Sequence, residues 1–88
     1  MPVQIRGTLP QPLDGIIRKT LQQALEARPE AFVIELSWPH RSDLVVHIQE
    51  PFDKRLKFNR PIESELAREL YATVTEVVEA DFGPVKAS

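Results

Sequence analysis

The chain has no cysteine, only three glycines and no long apolar run, and each absence excludes a class of protein. Without cysteine there is neither a disulfide framework nor a thiolate metal site. The glycines lie too far apart in the sequence for a phosphate-binding loop, so nucleotide chemistry is not expected. No segment approaches the roughly 20 apolar residues of a membrane span, and residues 1–9 lack the apolar core of a secretory signal. We therefore expect a cytoplasmic protein.

Length and composition are those of one ordinary globular domain. The 88 residues are 42% hydrophobic and 27% charged, with a formal net charge of -2. A chain of this size hides roughly 60 to 65% of its unfolded surface on folding, so its core is adequate but small. Oligomerisation is a common aid to such domains when disulfides are absent, which favours a homodimer. We expect a single domain over residues 1–84 and a frayed C-terminal tail over residues 85–88.

Hydrophobic periodicity predicts six elements in the order strand, helix, strand, strand, strand, helix. The predicted strands are 3–9, 31–38, 44–49 and 54–58, and the predicted helices are 13–28 and 61–82. The loops between the last three strands are too short for a parallel crossover, so these strands should form antiparallel hairpins. We predict an α+β fold with β-α-β-β-β-α order, in which an antiparallel meander sheet carries both helices on one face.

Each predicted strand has one apolar side, and this assigns the two faces of the sheet. In the second strand, Ile34 and Trp38 are expected to face the helices, whereas Glu35 points to the other side. That other side, here called the open face, is left to water or to a partner. The residues assigned to the open face are Gln4, Arg6, Thr8, Glu35, Ser37, His47, Gln49, Arg55 and Lys57.

Charge is distributed unevenly along the chain. The first 60 residues hold nine Lys and Arg against seven Asp and Glu, whereas residues 61–82 hold one Arg against six Asp and Glu. A short basic segment lies at this junction, and we predict that it contacts a partner or an anion. Cations on an edge strand also prevent aggregation, so edge protection or a protein contact is favoured over RNA binding. The basic segment consists of Lys54, Arg55, Lys57 and Arg60.

The last predicted helix has a wider apolar arc than a sheet contact requires. Its apolar residues span roughly 160 degrees around the helix axis, whereas a contact with a small sheet needs about 100 degrees. The excess should meet the first helix or another subunit. The predicted dimer contacts are Tyr71, Val78 and Phe82.

Residue types used in catalysis come together in two places, and neither predicts an enzyme. His40, Ser42 and Asp43 fall in one turn, where neighbouring side chains diverge and cannot align as a triad. His47 is expected beside Glu35 as a surface pair between strands. Two histidines do not supply the three or four convergent ligands of a metal site. We expect no catalytic residue, no metal and no cofactor.

The start of the last helix reads Arg60-Pro61-Ile62-Glu63-Ser64-Glu65-Leu66-Ala67-Arg68-Glu69. The order of the six elements resembles that of the ribosome hibernation factors, and without its first strand it is similar to the double-stranded RNA-binding fold. That fold carries a cluster of the Lys-Lys-x-Ala-Lys type at this position, where the present chain is acidic. The resemblance covers element order alone and implies binding to RNA or the ribosome. Element order does not determine function, so we assign no family.

Three functions follow from these observations. We favour a small non-enzymatic interaction or assembly module, homodimeric, for which another protein is a further partner and a membrane is not expected. The first alternative is an RNA- or ribosome-associated factor that binds through the basic segment. The second alternative is a small enzyme whose site is assembled at a subunit interface.

Overall fold

The computed structural model describes residues 3–39, 43–59 and 63–84 and has the predicted order of elements. The predicted α+β class is confirmed. The predicted tail, together with His40, Ser42 and Arg60, lies outside the described residues. The elements are β1 (Val3–Arg6), α1 (Leu13–Leu25), β2 (Phe32–Ser37), β3 (Asp43–Glu50), β4 (Lys54–Asn59) and α2 (Glu63–Phe82).

The four strands form one sheet in the order β1-β2-β3-β4, but the sheet is mixed rather than antiparallel. The three strands β2, β3 and β4 pair antiparallel, as their short loops predicted, whereas β1 pairs parallel with β2. The predicted all-antiparallel meander is therefore wrong at its first connection. The chain leaves β1 through α1, and this helical crossover brings it back to begin β2 at the same end of the sheet.

The core fills the space between the sheet and the two helices. Ile34 is fully buried and Trp38 is partly buried against the core, whereas Glu35 is exposed, which confirms the predicted faces of β2. The helices contribute Ile17, Leu21, Leu25, Leu66, Leu70, Val74 and Val78, and the strands contribute Val3, Phe32, Ile34, Leu36, Leu44, Val46, Ile48, Leu56 and Phe58. Because each strand gives one apolar side to this cluster, both helices cover the same face and the other face stays open.

Asp14 and Arg18 hold the end of β1 to the first turns of α1. One oxygen of the buried Asp14 carboxyl accepts a hydrogen bond from the backbone N–H of Leu9 at 3.0 Å, and the other accepts one from Arg18 Nε at 3.0 Å. Arg18 also donates to the carbonyl oxygens of Ile5, at 3.4 Å, and Gly7. The Leu9 hydrogen bond lowers the pKa of Asp14, burial opposes this shift, and Arg18 adds to the lowering.

We expect the Asp14→Asn variant to be less stable than the unchanged protein by about 1 to 3 kcal/mol at pH 7. The ionised carboxyl stabilises the fold above its unfolded pKa of about 3.9, and this contribution is lost as the pH falls through the lower pKa of the folded state. The stability difference should therefore shrink in acid. Urea unfolding at pH 7 and at pH 3 measures it, with Glu69→Gln on the exposed side of α2 as the control. An equal difference at both pH values would contradict this account.

Candidate functional site

A row of four polar side chains crosses the open face of the sheet. Arg6 on β1 lies in register with Glu35 on β2. His47 on β3 lies between Glu35 and Arg55 of β4. Since neighbouring strands are about 4.8 Å apart, the row spans roughly 14 Å. The predicted position of His47 beside Glu35 is thus confirmed as strand register. The same row places a cation on either side of these two residues, Arg6 next to Glu35 and Arg55 next to His47.

The centre of the open face is a shallow concavity of about 370 Å³. Arg55 and Lys57 line its β4 side, whereas Glu35 lies on its β2 side, so charges of opposite sign face each other across β3. Val45 forms an apolar part of its floor. The complete lining is Glu35, Ser37, Pro39, Asp43, Val45, His47, Arg55 and Lys57.

His47 is held in place at the floor of this concavity. Its Nε2 atom lies 2.5 Å from Oδ1 of Asp53, and its side chain is 15% exposed whereas that of Asp53 is 77% exposed. An imidazole with an exposed carboxylate partner is typical of a surface pair. Asp43, which the sequence suggested was a turn residue, is instead the first residue of β3, where it pairs with Asn59. The strand backbone continues to Asp43 because β4 supplies a partner at this position.

Strand alternation divides the predicted basic segment between two faces. Arg55 and Lys57 lie on the open face and line the concavity, whereas Lys54 lies on the helix-facing side of β4. Arg60 lies outside the described residues. The described cations of the segment therefore do not share one face. Glu35, which was not among the predicted contact residues although the sequence assigned it to the open face beside His47, also lies in the concavity.

The predicted dimer contacts on α2 have different environments. Val78 is only 1% exposed and packs inside the monomer, because α2 contacts α1 as well as the sheet. Tyr71 and Phe82 are 47% and 41% exposed. The Phe82 ring lies 5.8 Å from the ring of Phe52, and the Arg28 guanidinium lies 5.8 Å from the Phe82 centroid. The wide apolar arc is thus partly used within the monomer, and a subunit contact at Tyr71 and Phe82 stays a prediction.

A second, smaller depression lies on the outer surface between the two helices. It has a volume of about 250 Å³, and Ala24 of α1, Ala27 in the turn after α1 and Tyr71 of α2 are among the residues that line it. The hydroxyl oxygen of Thr75 is buried there and has no hydrogen-bond partner among the described residues. The small Ala24 side chain of α1 is one of the residues around this space.

Metal-binding clusters and membrane-spanning helices are absent from the described residues. In residues 3–39, 43–59 and 63–84, no group of three or more His, Asp or Glu side chains could hold a metal ion. Nor is any helix there long and apolar enough to cross a membrane. No protein-family model matches the chain, and neither a curated protein nor a solved structure matches it significantly. The surface itself is therefore the basis for a function.

Proposed function

We propose that this protein is a small non-enzymatic interaction module that binds a protein partner through the open face of the sheet. The observation that carries the proposal is the mixed-charge concavity at the centre of this face, with Arg55 and Lys57 on one side and Glu35 on the other. Sites for small ligands are mostly enclosed and apolar. A shallow polar surface with charges of both signs instead resembles the surfaces that protein partners recognise by charge complementarity.

The dimensions of the open face also suit a protein partner. Four strands give a width of roughly 19 Å, and the eight residues of β3 give a length of roughly 26 Å. Because β1, β2 and β4 have only four, six and six residues, the projected area is about 380 Å², to which the side chains add accessible surface. A standard protein interface uses about 800 Å² on each partner. Val45, at the centre, provides an apolar contact surrounded by polar groups, as in many interfaces.

The charge pattern of the concavity favours protein over RNA. Arg55 and Lys57 could contact two phosphates, but the carboxylates of Glu35 and Asp43 line the same concavity and would repel them. A phosphate-binding surface normally concentrates charge of one sign. RNA binding through the basic segment is therefore the alternative, and the experiments below distinguish it from binding of a protein partner.

We expect the purified protein to bind single-stranded RNA more weakly than about 0.1 mM at physiological salt. Binding is measured by fluorescence anisotropy over a range of salt concentrations. Tight binding with a log-log salt slope on the order of -3 would indicate about four phosphate contacts and would reverse the order of the two functions. The Arg55→Gln/Lys57→Gln double variant should then lose most of this affinity.

The protein arm of the test uses capture from cell extract with and without nuclease. The unchanged chain is compared with Val45→Glu, which places a charge at the centre of the concavity, and with Glu76→Arg on the exposed side of α2 as the control. We expect a defined protein to be retained by the unchanged chain and the control but not by Val45→Glu. Equal capture by all three proteins would place the binding surface elsewhere, and capture that nuclease abolishes would indicate RNA.

A further inference from the structure

We infer that the partner of the open face is a second copy of this chain, packed so that β4 of one copy lies over β2 of the other. This inference rests on the proposed function, because it names the occupant of the same face. Its basis is the order of charges across the central strands. In one register row, the carboxylate of Glu35 on β2 and the guanidinium of Arg55 on β4 lie on opposite sides of His47 on β3.

Two copies related by a two-fold axis use the same surface on each subunit, so every contact occurs twice. An axis that runs along β3, between the two facing sheets, exchanges β2 and β4 but keeps each register row. Arg55 of one copy then faces Glu35 of the partner subunit, and the second pair forms by symmetry. The Glu35 and Arg55 positions of the row are therefore complementary across the axis, whereas His47 on β3 meets its own symmetry mate.

The neighbouring row is compatible with the same packing. Lys57 of one copy lies opposite the polar Ser37 of the partner subunit, and Val45 meets its own symmetry mate on the axis. Face-to-face sheets cross at about 30 degrees, so the ends of the two β3 strands diverge and separate the Asp43 carboxylates. An axis perpendicular to the strands would instead stack β4 on β4 and bring Arg55 and Lys57 against the same two cations of the partner subunit. Charge thus selects one orientation.

A charge exchange tests this arrangement directly. We expect the unchanged protein to have twice its 10.0 kDa chain mass at micromolar concentration in light scattering and analytical ultracentrifugation. Glu35→Arg makes both symmetric pairs cationic and Arg55→Glu makes both anionic, so each variant alone should dissociate at least about tenfold more readily. A mixture of the two variants should form a heterodimer, because each introduced charge then meets one of opposite sign.

The controls separate a lost interface from a lost fold. Circular dichroism should show that both variants keep the unchanged spectrum, and Glu76→Arg, which makes the same charge change on α2, should leave the dimer intact. Tyr71→Glu, on the exposed helix surface, should also leave it intact. A dimer that forms only in the mixture would identify the Arg55 and Glu35 contact, since a dimer through any other surface would not depend on mixing these two variants.

Two results would overturn the inference. A dimer that survives both charge changes and dissociates in Tyr71→Glu would place self-association on α2. A 10.0 kDa species at every concentration would show that the chain does not self-associate. In that second case, protein capture that Val45→Glu abolishes would still support the open face as a binding surface for a different protein. Failure of this inference and failure of the proposed function are thereby distinguished.

Discussion

Replacing Ile34 by alanine should lower the free energy of unfolding by about 2 to 5 kcal/mol. Ile34 is 0% exposed and lies on β2, between Ile5 of β1 and Ile48 of β3 in the register of the sheet. The surrounding strands and helices cannot move far enough to fill the space of the lost side chain. The free-energy cost of the remaining cavity therefore adds to the cost of the lost apolar burial. A domain of this size has only about 4 to 13 kcal/mol of stability, and the loss would be a large part of it.

Urea unfolding at one fixed protein concentration measures this loss, since dimerisation would otherwise make stability depend on concentration. Ile34→Val should cost only about 0.5 to 1.5 kcal/mol, because it removes one methylene group. Glu69→Ala on the exposed side of α2 should change the stability by no more than about 0.5 kcal/mol. An Ile34→Ala cost as small as that of Glu69→Ala would mean that β2 does not present this side chain to the core.

Gly7→Ala should destabilise the protein by more than about 2 kcal/mol, because two effects combine at this position. Gly7 has a φ of 89 degrees, in the left-handed region that alanine rarely adopts. A Cβ atom there would also overlap the carbonyl oxygen of Leu36, which belongs to the backbone of β2 and cannot rotate away. The end of β1 would have to move from its neighbour, and the Arg18 contact with the Gly7 carbonyl would be lost.

The other two glycines provide matched controls for Gly7. Gly83 has a φ of 79 degrees but open space around it, so Gly83→Ala should show the backbone strain alone, about 1 to 2 kcal/mol. Gly15 lies within α1, where the nearest atom to a new Cβ is Gln11 Oε1 at 3.4 Å. Gly15→Ala should therefore stabilise the helix by about 0.5 to 1 kcal/mol. Thermal unfolding of the three variants measures these effects. A Gly7→Ala variant that lowers the unfolding temperature no more than Gly83→Ala would contradict this account.

The charge contacts of the candidate surface could be predicted from the sequence only in part. Alternation along β4 was sufficient to place Arg55 and Lys57 on the open face, because the direction of a side chain in a strand is a local property. The predicted hairpin placed Glu35 beside His47, but the position of Glu35 opposite Arg55 depends also on the register of β4 against β3. The contact of His47 with Asp53 depends on how the loop after β3 folds back.

The sequence by itself determined the order of the six elements, the α+β class and the side of each strand that faces the core. Periods of two and of 3.6 residues specify these features within a single segment. Only the tertiary structure decided that β1 runs parallel to β2, since the direction depends on the path of the α1 crossover. It also decided that Val78 is buried within the monomer, because α2 packs on α1 as well as on the sheet. Such contacts join residues far apart in the chain, and their geometry is set by the packing of whole elements.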